Sequence, residues 1–279
     1  YFLSRGFCAR EGAGMSLIVQ CNSCGGAVVF NARDEVAACL FCGSVSLEIE
    51  ESTQERQPDG ALEIEFEREA ADTEYRNWAK SSWWNPKELR SLSVELRVLY
   101  VPAWRFKGEV ESRWAGLVSA VSPSGKRPVS GSDLAELERM VPASQGLTLT
   151  ELDNLQPWHE DKSALWNTEE NTIPFEIPAL SEVGARERIH DLMGGTHQRH
   201  ISQQHSLLSI NSTSRVTDAD VKLYMLPIWI GAFRYRDKPW RFVVNAQTGE
   251  VVGKAPIDRV KIALVSLGVA VCLVVLFNL

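Results

Sequence analysis

The chain has 279 residues, 44% of them hydrophobic, which is enough for one sizeable domain with a smaller unit attached. Its 29 basic and 36 acidic residues leave a net charge of −7. That balance excludes the strongly basic classes that hold nucleic acid through many phosphate contacts.

Residues 1–14 read as a leader outside the fold. Tyr1 is not an initiator, Met15 opens a more natural start, and no apolar secretory region with a small-residue cleavage site occurs. Six cysteines follow, at 8, 21, 24, 39, 42 and 272. Four of them form two Cys-x-x-Cys pairs. Without a signal peptide, such pairs read as metal ligands rather than as a disulfide framework.

Residues 15–50 read as a zinc ribbon. The spacing is Cys21-x2-Cys24-x14-Cys39-x2-Cys42. Two residues between thiolates let one tight turn present both sulfurs to one ion. Gly25 and Gly43 follow each pair, where the turn needs a permissive backbone. Four thiolates close a tetrahedron, so the expected cofactor is one structural Zn2+ bound by Cys21, Cys24, Cys39 and Cys42. Val28–Phe30 and Val36–Ala38 are expected to pair as a hairpin. Between the outer cysteines Arg33 is the one basic residue, against Asp34 and Glu35, which speaks against phosphate contact. Leu40 and Phe41, at the second turn, are expected to project outward and to carry contacts with other proteins.

Residues 51–60 read as an acidic linker to an α+β domain at 61–258. From Glu48 to Glu74 eleven acidic residues face two arginines, a local balance of −9. Leu62, Ile64 and Phe66 alternate with glutamates, as in a half-buried strand. A helix is expected from Arg68 to Lys80, and another after Pro86 to about Leu96. Glu109–Val121 is expected to pair with a strand beyond the turn at 122–126. Residues 133–141 have helical propensity in a strand-rich setting. Ser181 caps an expected helix carrying Ala185, Ile189 and Leu192, with Gly194 as its stop. Ile228–Tyr235, Trp240–Asn245 and Val251–Val252 read as a meander. The stretches 99–106 and 223–230 resemble each other, each a short apolar strand with Pro before Trp.

Residues 259–279 read as a transmembrane helix. The stretch 262–279 carries no charge, and eighteen helical residues span about 27 Å, close to a bilayer core. Arg259 and Lys261 before it place the bulk of the chain in the cytoplasm, below the inner membrane. The apolar run is expected to continue past residue 279.

No catalytic pattern is present: no P-loop, no nucleophile elbow and no His-Glu-x-x-His. His197, His200 and His205 read as exposed or hydrogen-bonded rather than as a second metal site. The tryptophans read as core. The chain is therefore expected not to be an enzyme, and no small-molecule substrate is indicated.

The residues resemble the bacterial zinc-ribbon membrane proteins, built as ribbon, α+β domain and C-terminal transmembrane segment. The matching stretches are the paired knuckles, Trp78–Pro86, Tyr100–Trp104, Leu155–Trp158, Gly194–Gln198, Leu226–Trp229 and Tyr235–Val252. The resemblance implies a membrane-anchored cytoplasmic protein without an assigned enzymatic role. It also implies an adaptor that recruits other proteins in envelope stress or membrane organisation. Some relatives are labelled helicase-like, but no Walker lysine motif supports that here. The alternative is a nucleic-acid-associated ribbon protein tethered to the membrane.

Overall fold

The computed structural model describes residues 16–31, 36–50, 57–90, 92, 94–121, 125–168, 170–236, 238–258, 261–266, 268, 269 and 273. The expected leader, the ribbon tip at 32–35, linker residues 51–56 and the turn at 122–124 lie outside them.

The described strands are β1 (Ser16–Cys21), β2 (Ala27–Asn31), β3 (Leu47–Glu50), β4 (Gly60–Leu62), β5 (Leu96–Ser119), β6 (Lys126–Pro142), β7 (Ser163–Ala164), β8 (Phe175–Glu176), β9 (Ser209–Tyr235), β10 (Lys238–Asn245) and β11 (Val251–Gly253). The described α-helices are α1 (Arg68–Ser81), α2 (Leu149–Asn154) and α3 (Glu182–Gln204). All eleven strands belong to one mixed sheet, in the order β11-β10-β9-β5-β8-β2-β1-β3. Strand β6 pairs along β5, β4 runs parallel to β9, and β7 closes on β4.

Burial along β5 explains its two halves. From Leu99 to Arg105 every side chain is buried, so both faces are covered. Beyond Lys107 the strand alternates: Val110, Ser112 and Trp114 are buried while Glu109, Glu111 and Arg113 are exposed. Together β5, β6 and β9 therefore extend as a three-stranded arm with one covered face and one open face. Helix α3 covers the inner face through Ala185, Ile189, Met193, His197 and Ile201. The similar stretches 99–106 and 223–230 are direct neighbours, with Tyr100 opposite Pro227 and Ala103 opposite Tyr224 in antiparallel register.

Two of the quoted motifs meet at the far edge. Asn245 Nδ2 donates to the carbonyls of Leu155 and Pro157 at 2.7 and 3.0 Å. His159 N donates to Gln247 Oε1 at 3.0 Å. Gly249 takes φ +81°, and a Cβ there would meet the Phe66 ring at 2.6 Å. Helix α1 packs on this end by stacking Tyr75 on Phe242, with ring centroids 4.2 Å apart.

Several expectations need correction. The α+β reading with a terminal transmembrane helix gives way to one large mixed sheet that takes in the ribbon's strands. The ribbon hairpin is β1–β2 with β3 on the other side of β1, and Val36–Ala38 is not a strand. The helix expected after Pro86 is a single 3-10 turn at Lys87–Arg90, because the apolar run from Leu96 is taken by β5. Residues 133–141 are strand, since pairing with β5 outweighs their helical propensity. Helix α3 runs through Gly194 to Gln204. Gly194 lies 3.2 Å from Ser214 Cβ by its missing side chain, so close packing on β9 offsets the roughly 1 kcal/mol of weaker propensity.

The expected transmembrane span is also overturned. Among the described residues no helix is long and apolar enough to cross a membrane. The inner-membrane location and single-span topology rested on that helix and fall with it. Of the apolar stretch, residues 267, 270–272 and 274–279 lie outside the described residues. The described start is tied to the turn that follows α1. Lys261 Nζ donates to the carbonyls of Trp83 and Asn85 at 2.6 and 2.8 Å.

Candidate metal centre

The two knuckles are built alike. At the first, Gly25 N donates to Cys21 O at 2.8 Å and Cys21 N to Gly26 O at 2.9 Å. At the second, Gly43 N donates to Cys39 O at 2.9 Å and Cys39 N to Ser44 O at 2.8 Å. Gly25 and Gly43 have φ of +79° and +70°, a region costly for any residue with a Cβ. These turns aim their amides at sulfur: Ser23 and Cys24 N–H toward Cys21, Phe41 and Cys42 N–H toward Cys39.

The four sulfurs converge. All lie within 4.8 Å of one another, with Cys21–Cys42 and Cys24–Cys39 each at 3.6 Å. A tetrahedral ion with thiolates at about 2.3 Å sets them roughly 3.8 Å apart, so the donor set fits one such ion. Among the described residues this is the one group of three or more metal-binding side chains close enough to share an ion. Burial raises the thiols of Cys24, to about 11, and of Cys39. At Cys21 burial also raises the thiol, but the knuckle amides outweigh it and hold it at about 7. The Cys21 sulfur is thus the readier to ionise near neutrality, while Cys24 and Cys39 need an ion's charge to do so.

The ribbon is not a free module. Cys21, Cys39, Leu40 and Phe41 belong to the same apolar cluster as Leu62, Leu99, Leu226 and Val243 of the main sheet. Strand β2 also pairs with β8, Val28 opposite Glu176 and Val29 opposite Phe175. Leu40 and Phe41 are only 8% and 1% exposed, so the expected outward-facing contact pair is corrected. The inner side of the knuckle carries the ligands, but the turn itself lies against the 143–147 loop, which buries its other side.

That loop has its own lock. Phe41 fills the space a Cβ at Gly146 would need. The buried carboxylate of Glu176 accepts from Ser144 Oγ, from Gln145 N at 2.8 Å and from Gly146 N at 3.1 Å. Burial pushes this carboxyl up to about 7, against those three donors and the charge of Arg241. Arg241 in turn donates to Gly146 O at 2.5 Å and to both oxygens of Glu151 at 2.8 Å. A cavity of about 280 Å³ lies between Cys24, Cys42, Gln145 and Arg241. Glu176 and Gly146 left no signal in the sequence. Arg241 stood inside a quoted motif without a role.

The three histidines do not gather into a site. His197 is 2% exposed and its Nδ1 lies 2.8 Å from Ser112 Oγ, which is 2.8 Å from Ser214 Oγ. His205 Nε2 lies 3.5 Å from Asp133 Oδ2, which accepts from Trp114 Nε1 at 2.6 Å. His200 is exposed.

No family model matches the chain, and no solved structure matches it. The chain is similar to "Uncharacterized protein YdjG" from Bacillus subtilis (strain 168), 23% identical over 240 residues. The match covers 76% of this chain and 68% of that protein. Of the expected family features, the cysteine cluster is the one the structure bears out.

Proposed function

We propose that this chain is a non-enzymatic adaptor for other proteins, with one structural zinc ion at Cys21, Cys24, Cys39 and Cys42. The observation that carries the reading is a cluster of four cysteines set into the shared core, a donor set that one tetrahedral ion would close. Such a site has no open coordination position for substrate, and its place in the core suits a clamp. Zinc is the metal whose tetrahedral preference and affinity for thiolate match the set.

The contact surface in this reading is the arm, because the knuckle side chains are buried. Its open face crosses three strands, with Glu111 between Leu134 and Arg215 in register. Leu134 is 66% exposed there, among side chains of both charges. A mixed face of this kind suits recognition of protein better than of phosphate backbone.

The test is crosslinking and co-purification of the full chain against a Glu111→Arg/Leu134→Glu/Arg215→Glu variant. Expected are proteins recovered with the parent chain and lost with the variant, at equal zinc content. Unchanged recovery, or DNA or RNA bound with a steep salt dependence, would overturn the reading.

A further inference from the structure

The β9–β10 turn and the chain after β11 enclose a cleft of about 740 Å³. Its lining combines two chemistries. Trp240, Ile257 and Ile262 are apolar, and the two isoleucines are 56% and 43% exposed. Arg236, Lys238 and Lys254 line the same cleft and are exposed. No described carboxylate lines it, and none of the three cations forms an ion pair with a described residue. Arg236 instead lies over the Tyr235 ring, 5.2 Å from its centroid.

This arrangement runs against the rest of the molecule. The chain carries a net charge of −7, so an anion approaching at random meets repulsion. Three exposed cations that form no ion pair with a described residue, around an apolar floor, oppose that locally. The size lies within the range of about 300–1,000 Å³ usual for small-ligand sites. Large exposed apolar side chains beside half-buried aromatic ones are expected where a ligand's own apolar part completes the packing.

We propose that this cleft binds a free anionic amphiphile, a single carboxylate head on an apolar chain. The head pairs with Arg236, Lys238 and Lys254, and the chain lies on Trp240, Ile257 and Ile262. The cations supply selection by charge, and the floor supplies most of the affinity through apolar area removed from water. The cleft shares Trp240 with the cavity beside Cys24 and Cys42, but none of its three cations lines that cavity, so the proposal stands independently of the adaptor reading.

The experiment is calorimetric titration of the full, metal-saturated chain with laurate below its micelle concentration. Dodecyltrimethylammonium serves as the charge-reversed probe of equal chain length. Laurate is expected to bind, and the cationic probe at least tenfold more weakly. Arg236→Glu/Lys238→Glu/Lys254→Glu is expected to weaken laurate about tenfold or more. Metal content and circular dichroism check that this variant folds, and Lys254→Gln gives a milder second variant with a smaller loss. Equal binding of both probes, or laurate binding unchanged in the triple variant, would overturn the proposal. So would retention of the chain on anionic phospholipid vesicles with no binding of monomeric laurate, which would make the patch a bilayer contact.

Discussion

The ribbon end and the arm are held together by different physics. At the ribbon end, four clustered cysteines, one buried phenylalanine and one buried carboxylate hold a small strand group on the sheet. Along the arm, long strands pair over seventeen residues of β5 and β6, and helix α3 buries one side of itself against one face. The first depends on a few tertiary contacts and on a cysteine cluster able to hold one metal ion. The second spreads its stability over many backbone hydrogen bonds and apolar contacts, with one polar chain, Ser214–Ser112–His197, inside. The lesson is that a small unit lacking its own core can still be rigid when it borrows the core of its neighbour.

Metal removal should separate the two ends most. Chelation, or Cys39→Ser, is expected to remove several kcal/mol of stability, concentrated at the ribbon end. Hydrogen exchange should show lost protection in β1, β2, β3 and the 143–147 loop, with α3 and the arm strands still protected. Uniform loss throughout the chain would mean that the two ends form one cooperative unit. No loss anywhere would remove the metal from the account.

The Phe41 contact comes next. Phe41→Ala should cost about 3–5 kcal/mol, as for other buried aromatic truncations. Gly146→Val should act in the same direction, because its side chain would occupy the space of the Phe41 ring. Both variants should keep the metal, measured by metal analysis, while proteolysis at the ribbon increases. Retention of normal protease resistance would show that docking does not depend on this contact.

Acidity should push the two ends in opposite directions. Glu176 is raised in the folded chain to about 7, so the folded state holds its proton more tightly than the unfolded one. Its contribution is full below the unfolded value near 4.3 and is lost as pH rises through about 7. The slope is at most about 1.4 kcal/mol per pH unit. Glu176→Gln in the metal-saturated protein should flatten the fall in Tm between pH 5 and 7. An unchanged slope would assign the pH response elsewhere.

His197 is the smaller effect. Burial lowers its pKa, Asp133 opposes this, and His200 adds to it. The unfolded state therefore binds the proton more readily, and stability is lost as pH falls below about 6.5. The loss is at most about 1.4 kcal/mol per pH unit below that point. Amide exchange of α3 should quicken at acid pH in the parent chain, and the change should be absent in His197→Gln. Equal acid sensitivity in both would break the contrast between the ends.

Local chemistry was legible in the sequence wherever it depends on spacing. The Cys-x-x-Cys pairs with their glycines specify two knuckles, because only a tight turn of that length brings two sulfurs to one ion. Helix α1 matched its expected span, and the return strand Trp240–Asn245 matched β10 within two residues. What the sequence left open was every contact made across long distances in the chain. Nothing near Phe41 says that Gly146 will leave room for its ring, more than a hundred residues away. Nothing near Gly194 says that Ser214 will press close enough to keep a helix running through two glycines. The apolar stretch from Ile262 showed the same limit from the other side, since hydropathy gave a length, and among the described residues no helix is long and apolar enough to cross a membrane. Spacing and capping determine turns and short elements because their energies lie within a few residues. The union of ribbon and sheet, the burial of Leu40 and Phe41, and the raised pKa of Glu176 were decided by tertiary structure alone. Their energies come from surfaces that exist only once distant segments have met.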